Sequence, residues 1–211
     1  MSYRFISIEG NIGVGKTTLA SKMSLDLNAR LVLEEFEDNP FLIKFYESPE
    51  EYAFPLELFF MAERYHQLKR YQDQDLFQPF VIADYFFIKF KLFAKNNLKK
   101  DEFQLFNTIF NIISNSLNLP DLLIYLHCDI EKLQMNIKKR GRDFESNISN
   151  DYLLNIQSIY LDYLKKQKLF PALILDVTKI DFIETDLFYN KLVSLVSNEN
   201  YTVGTHYIEL I

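Results

Sequence analysis

Residues 10–18 read GNIGVGKTT, a run that fits the spacing G-x-x-x-x-G-K-[ST]. Such a loop lets backbone N–H groups point inward at phosphate oxygens, and the helix that follows adds a favourable dipole. Gly10, Asn11, Ile12, Gly13, Val14, Gly15, Lys16, Thr17 and Thr18 are thus the expected nucleotide-binding residues. Lys16 supplies a positive charge near the β- and γ-phosphates, and the Thr17 hydroxyl is a ligand for Mg²⁺. No Asn-Lys-x-Asp guanine signature is present, which favours ATP.

Three further segments carry candidate chemistry. LVLEEFEDNPFL (31–42) ends an apolar run on Glu34 and Glu35. A carboxylate there, facing the loop, is placed to take a proton from an attacking hydroxyl; alone, the segment reads equally as a solvated acidic loop. FVIADYF (80–86) likewise delivers Asp84 from an apolar run, with aromatics at once behind it. KKRGRDFE (138–145) packs four cations into five residues. Alone it reads as a helix end whose cations complement the dipole. Beside a nucleotide, Arg140 and Arg142 would instead form an arginine-rich lid that closes on the triphosphate and excludes water.

These residues need a frame. Apolar and β-branched runs predict strands at 3–9, 29–35, 80–84, 121–128 and 172–177. Helical spacing predicts helices at 16–28, two within 39–72 broken near Ser48-Pro49, and others at 86–96, 101–117, 129–141, 151–167 and 184–198. Pro55 falls early in the second of the pair or kinks it. The tail NYTVGTHYIELI has no clear assignment. Alternating strands and helices with apolar strands give an α/β fold, a five-stranded parallel sheet covered on both faces. Without a linker, repeat or low-complexity segment, residues 1–211 read as one domain.

Composition narrows the classes. Hydrophobic residues make up 48% of the 211-residue chain, with 20 Phe and 13 Tyr, so a folded core is expected. A net charge of −6 argues against a nucleic-acid binder. Cys128 is the sole cysteine, which leaves no intrachain disulfide and fits a small buried hydrophobe. No apolar run is long enough for a membrane span or a signal peptide, so a cytoplasmic protein with no membrane partner is expected. His66, His127 and His206 show no metal or triad spacing.

Together, EGNIGVGKTT, LEEFEDNPFLIKFYE, DLLIYLHC, KKRGRDFE and DYLLNIQSIYLDYLKKQ resemble the deoxynucleoside kinase family, notably its bacterial deoxyadenosine- and deoxyguanosine-kinase-like members. The resemblance covers nearly the whole chain. It implies a P-loop sheet core wrapped by helices, a homodimer through a helix pair, and transfer of the ATP γ-phosphoryl to a deoxynucleoside 5′-hydroxyl in nucleotide salvage. By position it implies Glu34 as general base, Arg140 and Arg142 as lid arginines, and Tyr46 and Glu145 at the sugar 3′-hydroxyl. It also implies Arg64 near the base edge, Phe93 stacking on the base, and Asp84 beside the magnesium.

Three positions depart from that pattern. The family's Asp-Arg-Ser/Thr reads Asp84-Tyr85-Phe86, which removes a cation from near the 5′-oxygen and the catalytic carboxylate; a lid arginine or Lys44 are the candidate substitutes. The base-reading glutamine is Glu57, an acceptor only when ionised. That suits the N1–H and amino edge of guanine or of a pterin, unless Glu57 pairs with Arg64 on the same helix face. The aspartate that partners the base-edge arginine is missing, and IKFKLFAK offers Lys89 and Lys91 instead. The leading expectation is a purine-preferring deoxynucleoside kinase. The alternatives are a kinase of a guanine-like or pterin alcohol, a nucleotide-binding protein with weakened or lost transfer, and a nucleoside monophosphate kinase.

Overall fold

The computed structural model describes residues 3–34, 39–71, 80–180 and 186–209. Its strands are β1 (Phe5–Gly10), β2 (Arg30–Val32), β3 (Val81–Ala83), β4 (Leu122–His127), β5 (Pro171–Asp176) and β6 (Gly204–Ile208). Its helices are α1 (Lys16–Asp26), α2 (Leu42–Glu47), α3 (Pro49–Arg70), α4 (Ile88–Asn97), α5 (Lys100–Ser114), α6 (Ile130–Arg140), α7 (Asn150–Lys166) and α8 (Asp186–Asn198). A 3₁₀ turn, Asp143–Glu145, follows α6. The sheet runs β2-β3-β1-β4-β5-β6, and every pairing is parallel.

The sheet therefore has six strands, one more than the sequence reading. The extra strand is the unassigned tail, which pairs from Gly204 to Ile208 along β5. It is an edge strand with one neighbour, so its residues are only half-buried and its apolar alternation is weak. β2 is shorter than expected and stops at Val32, which leaves Glu34 just beyond the strand. Glu35 and the first residues of the last expected helix lie outside the described residues. Pro49 opens α3 at its first turn, where a missing N–H costs nothing, and Pro55 sits inside α3 without ending it.

Alternate residues of the inner strands feed two cores. Ile6, Ile8 and Ile124 face Leu19 and Met23 of α1, Leu133 of α6 and Leu192 of α8. On the opposite face, Leu123 and Tyr125 of β4 meet an aromatic layer that includes Phe90, Phe106, Phe110 and Tyr160. Much of the chain's large aromatic content is spent there. The rings touch edge-on or stacked, as between Phe87 and Phe110 at 5.0 Å. Tyr85 and Phe86 belong to this layer, and both are buried.

Parallel pairing brings the carboxyl ends of β1, β2 and β3 to one edge. β1 finishes at Gly10, whose φ of +151° leaves the region that side chains favour. A Cβ there would stand 2.7 Å from the Leu126 carbonyl oxygen and 2.8 Å from Val14 Cγ1. Gly10→Ala should therefore lower unfolding stability by about 1–3 kcal/mol. A urea titration reads this directly, and a wild-type midpoint would show that the β1–β4 spacing relaxes freely.

Candidate active site

The loop between β1 and α1 is pinned from outside by two asparagines. Asn11 Nδ2 donates to the Leu153 carbonyl at 2.8 Å and its Oδ1 accepts from Ile12 N–H at 2.9 Å, fastening the loop to α7. Asn136 Nδ2 donates to the Gly13 carbonyl at 2.8 Å, fastening it to α6. Gly13, at φ +82°, lies so close to α6 that a Cβ would meet Ile137 Cγ1 at 2.8 Å. Inside the loop, Lys16 Nζ donates to the carbonyls of Gly10 and Asn11 at 3.0 and 2.9 Å. Gly15 takes a left-handed conformation at the start of α1, and Thr17 and Thr18 are exposed there.

Asp84 stands just past β3, 3% exposed, and uses both carboxylate oxygens. One accepts from the Thr17 hydroxyl at 2.5 Å and the other from Glu34 N–H at 2.7 Å. The start of α1 and the chain after β2 are thereby tied to a single side chain at the end of β3. Glu34 in turn accepts from Lys89 Nζ of α4, and both side chains are largely buried, at 16% and 12% exposure. Burial alone would push the Glu34 carboxyl up, but Lys89, Lys16 and Arg64 together hold it below its ordinary value.

Glu9 of β1 lies under this cluster, fully buried, accepting from Phe86 N–H at 2.6 Å and the Tyr160 hydroxyl at 3.0 Å. Burial pushes its carboxyl up to about 7, against the pull of Lys89 and Lys16. Burial, with Lys89 nearby, also brings Lys16 down to about 8.

A cavity opens beside these groups. Its wall includes loop residues Ile12, Gly13 and Lys16 with Thr17, Asp84 and Arg140, and Glu34 and Lys89. Glu57, Phe93, Asn97, Tyr46 and Tyr152 line it too. Glu145 joins the wall, 5% exposed, and accepts from both Arg140 and Arg142, the latter at 3.3 Å. Gly141 at φ +69° makes the turn between those two arginines. The Tyr46 ring lies 5.7 Å from that of Phe144 in the same segment, and burial raises its phenol strongly. The structure thus assembles Glu34, Tyr46, Glu57, Phe93, Asp84, Lys16, Thr17, Arg140, Arg142 and Glu145 around one space.

Arg64 is the exception. It is buried on α3 but is absent from the cavity wall, and its Nη1 donates to Gln67 Oε1 at 2.8 Å. The Tyr85 hydroxyl donates to the same oxygen at 2.6 Å, and Gln67 Nε2 donates to the Leu33 carbonyl at 2.9 Å. Gln67 is thus a half-buried hub supporting the backbone beside Glu34. Glu57 takes a different partner: Asn97 Nδ2 donates to its Oε1 at 2.7 Å. Lys44 is exposed, over the Tyr52 ring at 5.6 Å, and does not reach Glu34. Lys91 turns to the Phe110 ring at 5.5 Å. Sequence reasoning missed Gln67, Asn97 and Tyr152, which come from helix faces without a motif. Lys89 had one available signal, a cation one helical turn past Asp84-Tyr85-Phe86.

The deoxynucleoside kinase family model matches residues 6–200. The chain belongs to that family. A deoxyguanosine kinase of Bacillus subtilis is 38% identical over 190 residues, 89% of this chain and 90% of that protein. A deoxyadenosine/deoxycytidine kinase of the same organism is 27% identical over 204 residues, 92% of this chain and 91% of that one. Among solved structures, the deoxyadenosine kinase of M. mycoides with bound dATP is 26% identical. It superposes with a TM-score of 0.77 over 90% of this chain and 98% of its own. The parallel sheet with flanking helices is the kinase fold. Among the described residues, no helix is long and apolar enough to cross a membrane.

Glu57 is a strongly perturbed carboxyl of the cavity. Burial raises it from 4.5 to about 8, although the Asn97 hydrogen bond and Lys89 oppose this. The folded protein then holds a proton that the unfolded chain has lost. Folding stability should fall as pH rises from about 4.5 to about 8, with Glu9 contributing in the same sense up to about 7. In Glu57→Gln this decline should be shallower, so the variant gains on the wild type as pH rises. Thermal melts across that range give the comparison, and parallel curves would show that Glu57 is already ionised in the empty protein.

Proposed function

We propose that this deoxynucleoside kinase phosphorylates purine deoxynucleosides for salvage, with deoxyguanosine as preferred acceptor and ATP as donor. The observation that carries the acceptor is Glu57, a buried carboxylate on the cavity wall whose partner is the Asn97 amide. Guanine presents N1–H and an amino group side by side, two donors that an ionised carboxylate accepts together. Binding such an edge compensates the burial that otherwise favours a protonated Glu57. Asn97 takes one lone pair of Oε1, which leaves the other and those of Oε2 to the base. The 38% identity to a protein named deoxyguanosine kinase points the same way.

In the transfer, Glu34 takes the proton of the acceptor 5′-hydroxyl as its oxygen bonds to the γ-phosphorus. The bond from that phosphorus to the bridging oxygen breaks, and ADP leaves with the electron pair. Lys16 exchanges the Gly10 and Asn11 carbonyls for phosphate oxygens, and the gained anions offset its burial. Arg140 and Arg142 spread positive charge over the moving phosphoryl group. Tyr46 and Glu145 bind the sugar 3′-hydroxyl, and Phe93 stacks on the base. Arg64 acts through Gln67 as support for the strand end rather than on the base.

Thr17 and Asp84 offer the hard oxygen donors that Mg²⁺ takes alongside nucleotide phosphates, so the residues present fit that ion. When bound it would neutralise phosphate charge.

Purified protein with ATP and Mg²⁺ should phosphorylate deoxyguanosine with kcat/KM at least about tenfold above that for deoxyadenosine. A pterin alcohol, which carries the same 2-amino-4-oxo edge, is the control acceptor. Glu57→Gln should narrow or reverse the ratio. Absence of transfer to every deoxynucleoside would overturn the acceptor class, and an unchanged ratio in the variant would remove Glu57 from base reading.

A further inference from the structure

Position 85, where the family resemblance places a cation, holds a tyrosine. Its side chain is fully buried in the aromatic layer, and its hydroxyl is committed to Gln67. The base at Glu34 would then face the acceptor with no cation from that strand end. The structure supplies one from elsewhere. Lys89 lies in the first turn of α4, its backbone N–H donating to the Phe86 carbonyl at 2.9 Å. From there its side chain crosses to Glu34 Oε2. We propose that Lys89 is the positioning residue of the catalytic carboxylate, holding Glu34 in the orientation that meets the acceptor hydroxyl as the missing strand-end cation would.

Several features set this contact apart from an ordinary core ion pair. Both partners line the acceptor cavity, so the pair faces the reacting hydroxyl. Lys89 engages one carboxylate oxygen, and Oε1 has no hydrogen-bond donor among the described residues. That leaves a lone pair for the acceptor. The Lys89 ammonium lies 5.4 Å from the Phe93 ring centroid and feels the carboxylates of Glu9 and Asp84 as well. Glu34 likewise feels Lys16 of α1 and Arg64 of α3, and Lys89 donates to it directly. A buried pair of this kind is often no more stable than an apolar replacement, so stability alone does not account for it. Because Lys89 replaces a cation on another element, the chemistry does not require an arginine at 85.

The inference rests on the kinase reading and is tested by Lys89→Met, Lys89→Arg and the double change Lys89→Met/Tyr85→Arg. Lys89→Met should lower kcat about a hundredfold or more, while ATP affinity stays near wild type. The loss should fall on kcat, with the KM for deoxyguanosine within about threefold of wild type. Lys89→Arg should retain most activity, and the double variant should recover part of what Lys89→Met loses. A wild-type kcat in Lys89→Met overturns the proposal. So does a loss that falls on KM alone, or one that Lys89→Arg does not spare. A second readout needs no acceptor: crystal structures of wild type and Lys89→Met should differ in the Glu34 side-chain rotamer, and an unchanged rotamer overturns the proposal. If the wild type phosphorylates no deoxynucleoside, the acceptor reading fails while this rotamer still decides Lys89. If Lys89→Met does not fold, Lys89→Gln carries the same readouts, because its shorter side chain stops short of Glu34.

Discussion

The active site depends on how five ionisable side chains share one poorly solvated corner of the sheet. Two lysines, Lys16 and Lys89, face the carboxylates of Glu34 and Asp84. Glu9 is the surplus acid, and burial resolves the excess by raising its affinity for a proton. Removing Lys16, Lys89, Glu34 or Asp84 leaves an uncompensated charge away from water. This explains why so many elements end at the same place. Every strand from β1 to β3 donates a carboxylate at or just past its carboxyl end, and α1 and α4 each donate a lysine. Asp84 ties the arrangement together because its two oxygens reach both α1 and the chain after β2.

The aromatic layer on one face of the sheet is the apolar counterpart of that cluster. Tyr85 and Phe86 occupy positions that the family resemblance assigns to an arginine and a small hydroxyl residue. Their rings turn inward, where Phe86 stands edge-on to Phe170 at 5.5 Å and Tyr85 to Phe90 at 6.0 Å. The departure from the family pattern is therefore local. It moves a side chain from the catalytic edge to the core and leaves the backbone beneath Glu9 and Asp84 in place.

Much of this was legible from residue spacing. The phosphate loop, Asp84 and the arginine segment announce themselves because a glycine run, a strand-end acid and a cation cluster each have a local cause. Glu57 was readable through the family resemblance, which puts a glutamine at its position. What escaped had non-local causes. Gln67 looks like any polar helix residue until Arg64, Tyr85 and Leu33 converge on it. Asn97 matters only because α4 ends opposite α3. Arg64 was expected at the base edge from the family resemblance, and the helix face it shares with Glu57 allowed a pair between them, yet the two side chains find different partners. β6 was missed because an edge strand needs only one apolar face, and because its pairing partner lies across α8 in the chain.

The phosphate loop's attachment to α6 has a consequence for how this kinase tolerates change. Gly13 and Ile137 fill each other's space, and Asn136 bonds the loop's backbone from the neighbouring position. The same helix ends at Arg140. Loop and arginines thus belong to one mechanical unit, with no slack between them. Among relatives, a bulkier residue at 13 would require a smaller one at 137. Positions that never touch phosphate should therefore drift in step with those that do.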